Sequence, residues 1–238
     1  MPNPHFAFKQ FTIRQDKCAM KVGTDAVLLG AWVKTAAAQH ILDIGTGTGV
    51  IALMLAQRTK ALIDGIDLDE TACAQAEENI LLSPWKERVR IFHHSIQEFS
   101  EETKNRYDLI VSNPPYFLDS SKASGIERTT ARHADLLPYS ELLESVIRVL
   151  DKKGRFCVIL PVKEAAILCE LATERGLHLS KLLRVRTRID KETEKRHLMQ
   201  FEFSPSSFSE ESIAIETNER HDYTPEYIEL TREYYLAF

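Results

Sequence analysis

The stretch Asp43-Ile44-Gly45-Thr46-Gly47-Thr48-Gly49 constrains the fold more than any other feature of the chain. It stands between an apolar run, His40 to Ile44, that reads as a buried strand and a stretch, Gly49 to Arg58, that reads as a helix. Glycines at alternate positions let the backbone turn tightly and approach a ligand closely. A strand, a glycine turn and a helix in that order open a parallel sheet. The alternation continues downstream. Ala61 to Ile66, Arg88 to Phe92, Tyr107 to Ser112 and Arg155 to Leu160 read as strands; Thr71 to Leu82 and Tyr139 to Leu150 read as helices, with Gly154 a break after the second. Parallel strands need long crossovers, so the pattern predicts a doubly wound α/β fold, its sheet covered on both faces.

The pattern changes near the end. Leu177 to Arg186 and His197 to Phe203 are strand candidates joined by the polar segment Thr187 to Arg196, which suits an antiparallel hairpin. Thr224 as N-cap, Pro225 in the first turn, and Tyr227, Leu230 and Tyr234 on one face predict a terminal helix packed back on the body. With 238 residues and 44% apolar composition, one domain can bury its own core. Its expected parts are an N-terminal helical or hairpin extension (1–38), the core sheet (39–203) and an acidic segment with a helix (204–238).

The remaining composition narrows the function. The longest apolar run, Val50 to Ala56, is far too short to cross a bilayer, and the first residues lack a basic-then-apolar leader, so no membrane association and a cytoplasmic location are expected. Cys18, Cys73, Cys157 and Cys169 are scattered, without a CxxC pair or histidines at ligand spacing, which suggests neither a zinc site nor disulfides. The net charge of −5 is unevenly placed. Glu210 to Phe238 carries eight acids and two bases, whereas Lys181 to His197 carries seven Lys or Arg against three acids. Local basic faces can bind phosphates while a distant acidic segment sets the total.

Two motifs carry chemistry. The glycine spacing is GxGxG, one step shorter than the GxGxxG of dinucleotide sites. A carboxylate at Asp43 would repel a pyrophosphate and favour a cationic amino-acid ligand. Asp67, at the end of the second strand, is placed to accept hydrogen bonds from ribose hydroxyls. The ligand implied is a nucleoside with a positive tail. Ser112-Asn113-Pro114-Pro115-Tyr116 follows the fourth strand on the same edge of the sheet. Its two prolines stiffen the backbone and remove two N–H donors, leaving carbonyl acceptors that suit a substrate with N–H groups to donate. The Asn113 side-chain oxygen and the Pro114 carbonyl are the expected acceptors, with Tyr116 stacking on a flat substrate group.

Leu-Asp-Ile-Gly-Thr-Gly-Thr-Gly resembles the first motif of S-adenosylmethionine-dependent methyltransferases with a seven-stranded, mostly parallel sheet and an antiparallel last strand. The resemblance implies that Asp43, Gly45, Gly47 and Asp67 contact the cofactor and that Asn113 borders it. Ser95 and Ile96 stand where many members hold the cofactor's adenine amino group with an acid. The Asn-Pro-Pro-Tyr signature is similar to that of enzymes methylating adenine N6, cytosine N4, guanine N2 or a glutamine amide, and leaves these acceptors open.

The segment Phe11 to Trp32, with Gln15, Met20 to Asp25 and Leu28 to Trp32, together with both motifs and the terminal Thr-Pro-Glu-Tyr and Tyr-Tyr-Leu-Ala-Phe, resembles the bacterial tRNA1(Val) (adenine(37)-N6)-methyltransferase family. That likeness covers nearly the whole chain. It implies Thr24 and Asp25 near the cofactor's amino-acid end, tRNA as substrate, S-adenosylhomocysteine as product, no metal and no obligate protein partner. Candidate RNA contacts are Lys181, Arg184, Arg186, Arg188, Lys195 and Arg196 on the hairpin, and Lys122, Arg128 and Arg132 beyond Tyr116.

Overall fold

The strand and helix runs expected from the sequence form in the computed structural model, which describes residues 3–18, 20–115 and 139–238. A small antiparallel hairpin, β1 (His5–Ala7) and β2 (Thr12–Arg14), precedes helix α1 (Thr24–Trp32). There follow β3 (His40–Ile44), α2 (Val50–Arg58), β4 (Leu62–Asp67), α3 (Glu70–Leu81), β5 (Val89–His93), α4 (Ile96–Glu102) and β6 (Tyr107–Ser112). After α5 (Tyr139–Val149) come β7 (Leu150–Pro161), α6 (Val162–Glu174), β8 (His178–Arg188), β9 (Glu194–Glu202), β10 (Ser209–Glu216) and α7 (Pro225–Thr231).

The large sheet has the order β10-β8-β9-β7-β6-β3-β4-β5, with β9 antiparallel to both its neighbours and the other pairings parallel. It therefore has eight strands, one more than expected. The extra strand, β10, lies in the segment read as an acidic tail; Ile213, Ala214 and Ile215 give it an apolar centre, and it pairs in parallel with β8.

Apolar side chains fill both faces. On one, Ile41, Leu53, Leu55, Leu109 and Ile159 meet Val27 to Leu29 of α1 and Tyr227 and Tyr234 near the chain's end. On the other, Leu42, Ile110, Phe156 and Phe201 meet α5 and α6 through Leu142, Val146 and Leu168. Each fully buried side chain of this size contributes roughly 1.5–3 kcal/mol. The terminal helix forms as expected: Thr224 Oγ1 accepts from Tyr227 N at 3.2 Å, and the Tyr234 hydroxyl donates to the Met54 carbonyl at 3.0 Å.

Gly154 is not a break. It lies inside β7, where a Cβ would come within 2.8 Å of the Tyr107 carbonyl, beside a register shift between β6 and β7. A close approach of two strands, rather than a helix end, requires glycine there.

Candidate functional site

The sheet's carboxyl edge brings the two sequence motifs together. Ile44, the last residue of β3, pairs with Ser112, the last of β6, and the Ser112 hydroxyl donates to the Ile44 carbonyl at 3.0 Å. The glycine loop and the Asn-Pro-Pro motif thus leave neighbouring strands, about 4.8 Å apart, at the same height. Asn113 is half-buried, Pro114 buried and Pro115 exposed. Tyr116, Lys122, Arg128 and Arg132 lie outside the described residues.

The loop is held from below. Gly45 N and Thr46 N both donate to the Ile66 carbonyl, at 2.9 and 3.0 Å. Gly45 and Gly47 have φ of 71° and 56°, and a Cβ on either would meet nothing within 4 Å, so both face open space on the ligand side. Gly49, at φ 79°, is different: its Cβ would meet Ala76 at 3.4 Å, so it serves the packing of α2 on α3.

Asp43 is fully buried. Its Oδ2 accepts from Thr46 Oγ1 at 2.7 Å and from Ala52 N at 3.2 Å, so the carboxylate ties the loop to the first turn of α2. Oδ1 is buried with no partner among the described residues. Burial pushes the carboxyl up to about 7, against the pull of those two hydrogen bonds. The structure gives Asp43 Oδ2 the job of shaping the loop from within, a role the sequence did not signal. Asp67, half-buried at the end of β4, accepts from Gly47 N at 2.8 Å and from Asp69 N at 3.0 Å. A carboxylate has about four acceptor positions, so two remain for hydroxyl donors.

Ser95 does not stand free at the end of β5. It caps α4: its hydroxyl donates to Glu98 Oε2 at 2.8 Å and accepts from Glu98 N at 3.2 Å, in a full capping box, and Ile96 is buried behind it. Its hydroxyl hydrogen is thereby committed to Glu98. Thr24 begins α1 and is exposed; Asp25, in the same turn, is half-buried and takes the Arg196 guanidinium, Nε to Oδ2, at 2.7 Å.

One wall went unforeseen. Asn79 of α3 holds the backbone of Arg14 from both sides, accepting from its N–H at 2.8 Å and donating to its carbonyl at 2.9 Å, and also donates to the Thr48 carbonyl of the loop at 2.9 Å. Gln75, one turn earlier, accepts from Lys17 N at 3.0 Å, and Gln15 accepts from Val22 N at 2.8 Å. These amides pin Arg14, Lys17 and Val22 beside the glycine loop, with Cys18 close enough to Asp67 and Asp69 that both carboxylates add to the upward push of burial on its thiol. The signal was a pair of amides four residues apart on the apolar face of α3, where a core helix has little other use for them.

The basic residues of the hairpin are brought to this edge unequally. Lys181 sits in mid-strand, and Lys195 is exposed. Arg184 is clamped by Glu194 at 3.0 Å and Glu210 at 2.5 Å, which raise its affinity for a proton, and Arg188 is paired with Asp190 at 2.9 and 2.6 Å. Arg186, between them, makes among the described residues only a long side-chain bond to the Ile189 carbonyl, 3.4 Å. Among the described residues no cluster of His, Cys, Asp and Glu has the makings of a metal site, and no helix is long and apolar enough to cross a membrane.

Fold and site together define a Rossmann-like S-adenosylmethionine-dependent methyltransferase. The model of the methyltransferase small domain family matches residues 18–160. The chain is 48% identical over 236 residues to the tRNA1(Val) (adenine(37)-N6)-methyltransferase of Phocaeicola vulgatus, covering 99% of both chains, and 45% identical over 241 residues to that of Trichodesmium erythraeum, covering 100% of both. Among solved structures, a predicted O-methyltransferase of Agrobacterium tumefaciens, Atu636, superposes with a TM-score of 0.69 at 17% identity, over 88% of this chain and 96% of that one, a likeness of fold. The chain belongs to the tRNA1(Val) (adenine(37)-N6)-methyltransferase family.

Proposed function

We infer that the protein methylates N6 of an adenine in tRNA, adenine 37 of tRNA1(Val), next to the anticodon, with S-adenosylmethionine as donor. The observation that carries the reading is the adjacency of the open glycine loop and Asn113-Pro114 on paired strand ends.

The residues present fit the cofactor. Gly45 and Gly47 leave backbone open where a side chain would intrude, and Asp67 keeps acceptor positions for the ribose hydroxyls. Thr24 and Asp25 are assigned to its amino-acid end, and Ser95 and Ile96 to its adenine. When bound, S-adenosylmethionine supplies an activated sulfonium methyl group and leaves as S-adenosylhomocysteine.

The chain's own task is to grip and orient an NH2 group. Its lone pair is delocalised into the ring, so positioning in line with the methyl group is worth much of the rate. Asn113 Oδ1 and the Pro114 carbonyl accept the two amino hydrogens. As the nitrogen becomes ammonium-like those hydrogens grow more acidic, and the two bonds strengthen more in the transition state than in the ground state. Tyr116 stacks on the base, worth roughly 1–3 kcal/mol. The sulfonium is already activated, so the route asks nothing of a metal, and the surplus proton leaves to solvent after transfer. A base beside an anticodon is partly unpaired, which lowers the cost of extruding it into the site.

The test is incubation with methyl-labelled cofactor and either unmodified tRNA or total bacterial protein, followed by mass spectrometry. N6-methyladenosine at position 37 is the expected product. Label in a protein glutamine, or in neither pool, overturns the reading.

A further inference from the structure

The hairpin is also a projecting arm. Following the rungs across the sheet, Ser112 pairs with Val158, Val158 with Met199 and Met199 with Leu182. β8 then continues six residues past Leu182 to Arg188, roughly 20 Å beyond the level at which the acceptor motif begins. Along that overhang Arg184, Arg186 and Arg188 alternate with Val185 and Thr187, so the three guanidiniums share one face.

Their surroundings differ. Arg184 and Arg188 already hold carboxylates in charge-assisted geometry. Arg186 has Glu194 opposite it on β9, but that carboxylate is taken by Arg184 at 3.0 Å and His197 at 2.6 Å. On β10 its neighbour is Ala214, which offers no side-chain acceptor. Its Nε is turned into the protein, which leaves the terminal nitrogens to face outward, and no carboxylate among the described residues lies within ion-pair distance of them. A guanidinium built into a strand, whose terminal nitrogens hold no carboxylate and carry only the long bond to the Ile189 carbonyl among the described residues, fits a phosphate, which can take Nη1 and Nη2 at once.

Resting on the tRNA reading, we propose that Arg186 is the arm's phosphate ligand, gripping the tRNA backbone away from the target base, while Arg184 and Arg188 are struts that keep the arm rigid. The paired arginines would have to surrender a carboxylate to bind phosphate; Arg186 surrenders at most one long bond to a carbonyl. The contact positions the tRNA and reads no base.

The experiment measures the affinity of unmodified tRNA1(Val) transcript against salt for the parent, R186Q, R186K, R188Q and K153Q, the last on the opposite edge of the sheet. Cofactor affinity reports an intact site in each. One phosphate contact contributes about 0.7–0.9 to the slope of log affinity against log salt. R186Q is expected to lower that slope by about one and the affinity about tenfold, R186K to restore the slope but only part of the affinity, and R188Q and K153Q to keep the parent's slope. A slope equal to the parent's in R186Q, or a larger loss in R188Q, overturns the assignment of Arg186 and leaves the tRNA reading standing. A parent whose tRNA binding is insensitive to salt overturns both.

Discussion

The glycine loop and the arm use carboxylates in opposite ways. In the loop, Asp43 is fully enclosed and Asp67 is half-buried; each is tied to backbone N–H groups, and Asp43 faces no cation at hydrogen-bond distance among the described residues. In the arm, Glu194, Glu210 and Asp190 reach solvent and are spent on arginines. Enclosure makes a single carboxylate energetically large, whereas exposure and salt reduce a whole network to small change. On the proposed reading the loop's carboxylates therefore govern stability and cofactor binding, and the arm's decide which guanidiniums stay available.

The largest effect expected is on pH-dependent stability. The Asp43 carboxyl is raised from 3.8 to about 7, so the folded protein holds a proton that the unfolded chain has lost. Stability from this group is complete below pH 4 and lost as pH rises to 7, by up to about 4 kcal/mol. Asp43→Asn keeps an oxygen for Thr46 and Ala52, so its denaturation curves between pH 4 and 8 should lack that decline. A decline equal to the parent's places the proton elsewhere. Asn113→Ala should cut single-turnover methylation by about 10²–10³, the cost of one transition-state hydrogen-bonding group, with cofactor affinity nearly intact; equal rates would remove the residue from the mechanism.

Smaller effects follow toward the rim and the arm. Asp67→Ala leaves Gly47 N without its acceptor and removes the proposed ribose contact, which should weaken the cofactor by about 1–3 kcal/mol in calorimetry while tRNA affinity holds. Glu210→Gln releases one of the two carboxylates on Arg184. Its thermal unfolding should shift by less than about 1 kcal/mol, because the pair is well exposed and Glu194 remains. A loss as large as that from Asp43→Asn would erase the contrast between the two regions.

The same contrast explains what could be read from the sequence. The loop and the acceptor motif are local in the chain: glycines, prolines and strand ends signal them over seven and five residues, and sheet topology alone sets them side by side. The N-terminal wall depends on Gln75 and Asn79 meeting backbone more than fifty residues away, a pairing without local periodicity. β10 was hidden by its composition, since Ser209 to Ser212 holds two glutamates and no apolar residue, and its strand identity comes from pairing with β8. The basic hairpin was legible as charge but not as partners, because Glu210 reaches Arg184 from a separate strand. The capping role of Ser95 was hidden in the sequence because a helix cap and a ligand acceptor ask for the same residue type.

The bond from the Ser112 hydroxyl to the Ile44 carbonyl pins the glycine loop and the acceptor motif to the two ends of a single rung of the sheet. On the proposed function, the gap between donor and acceptor is then set by the sheet, as stiff as the backbone itself. Selection for a bulkier or smaller amine has little purchase on that gap and must work through whatever frames the incoming base.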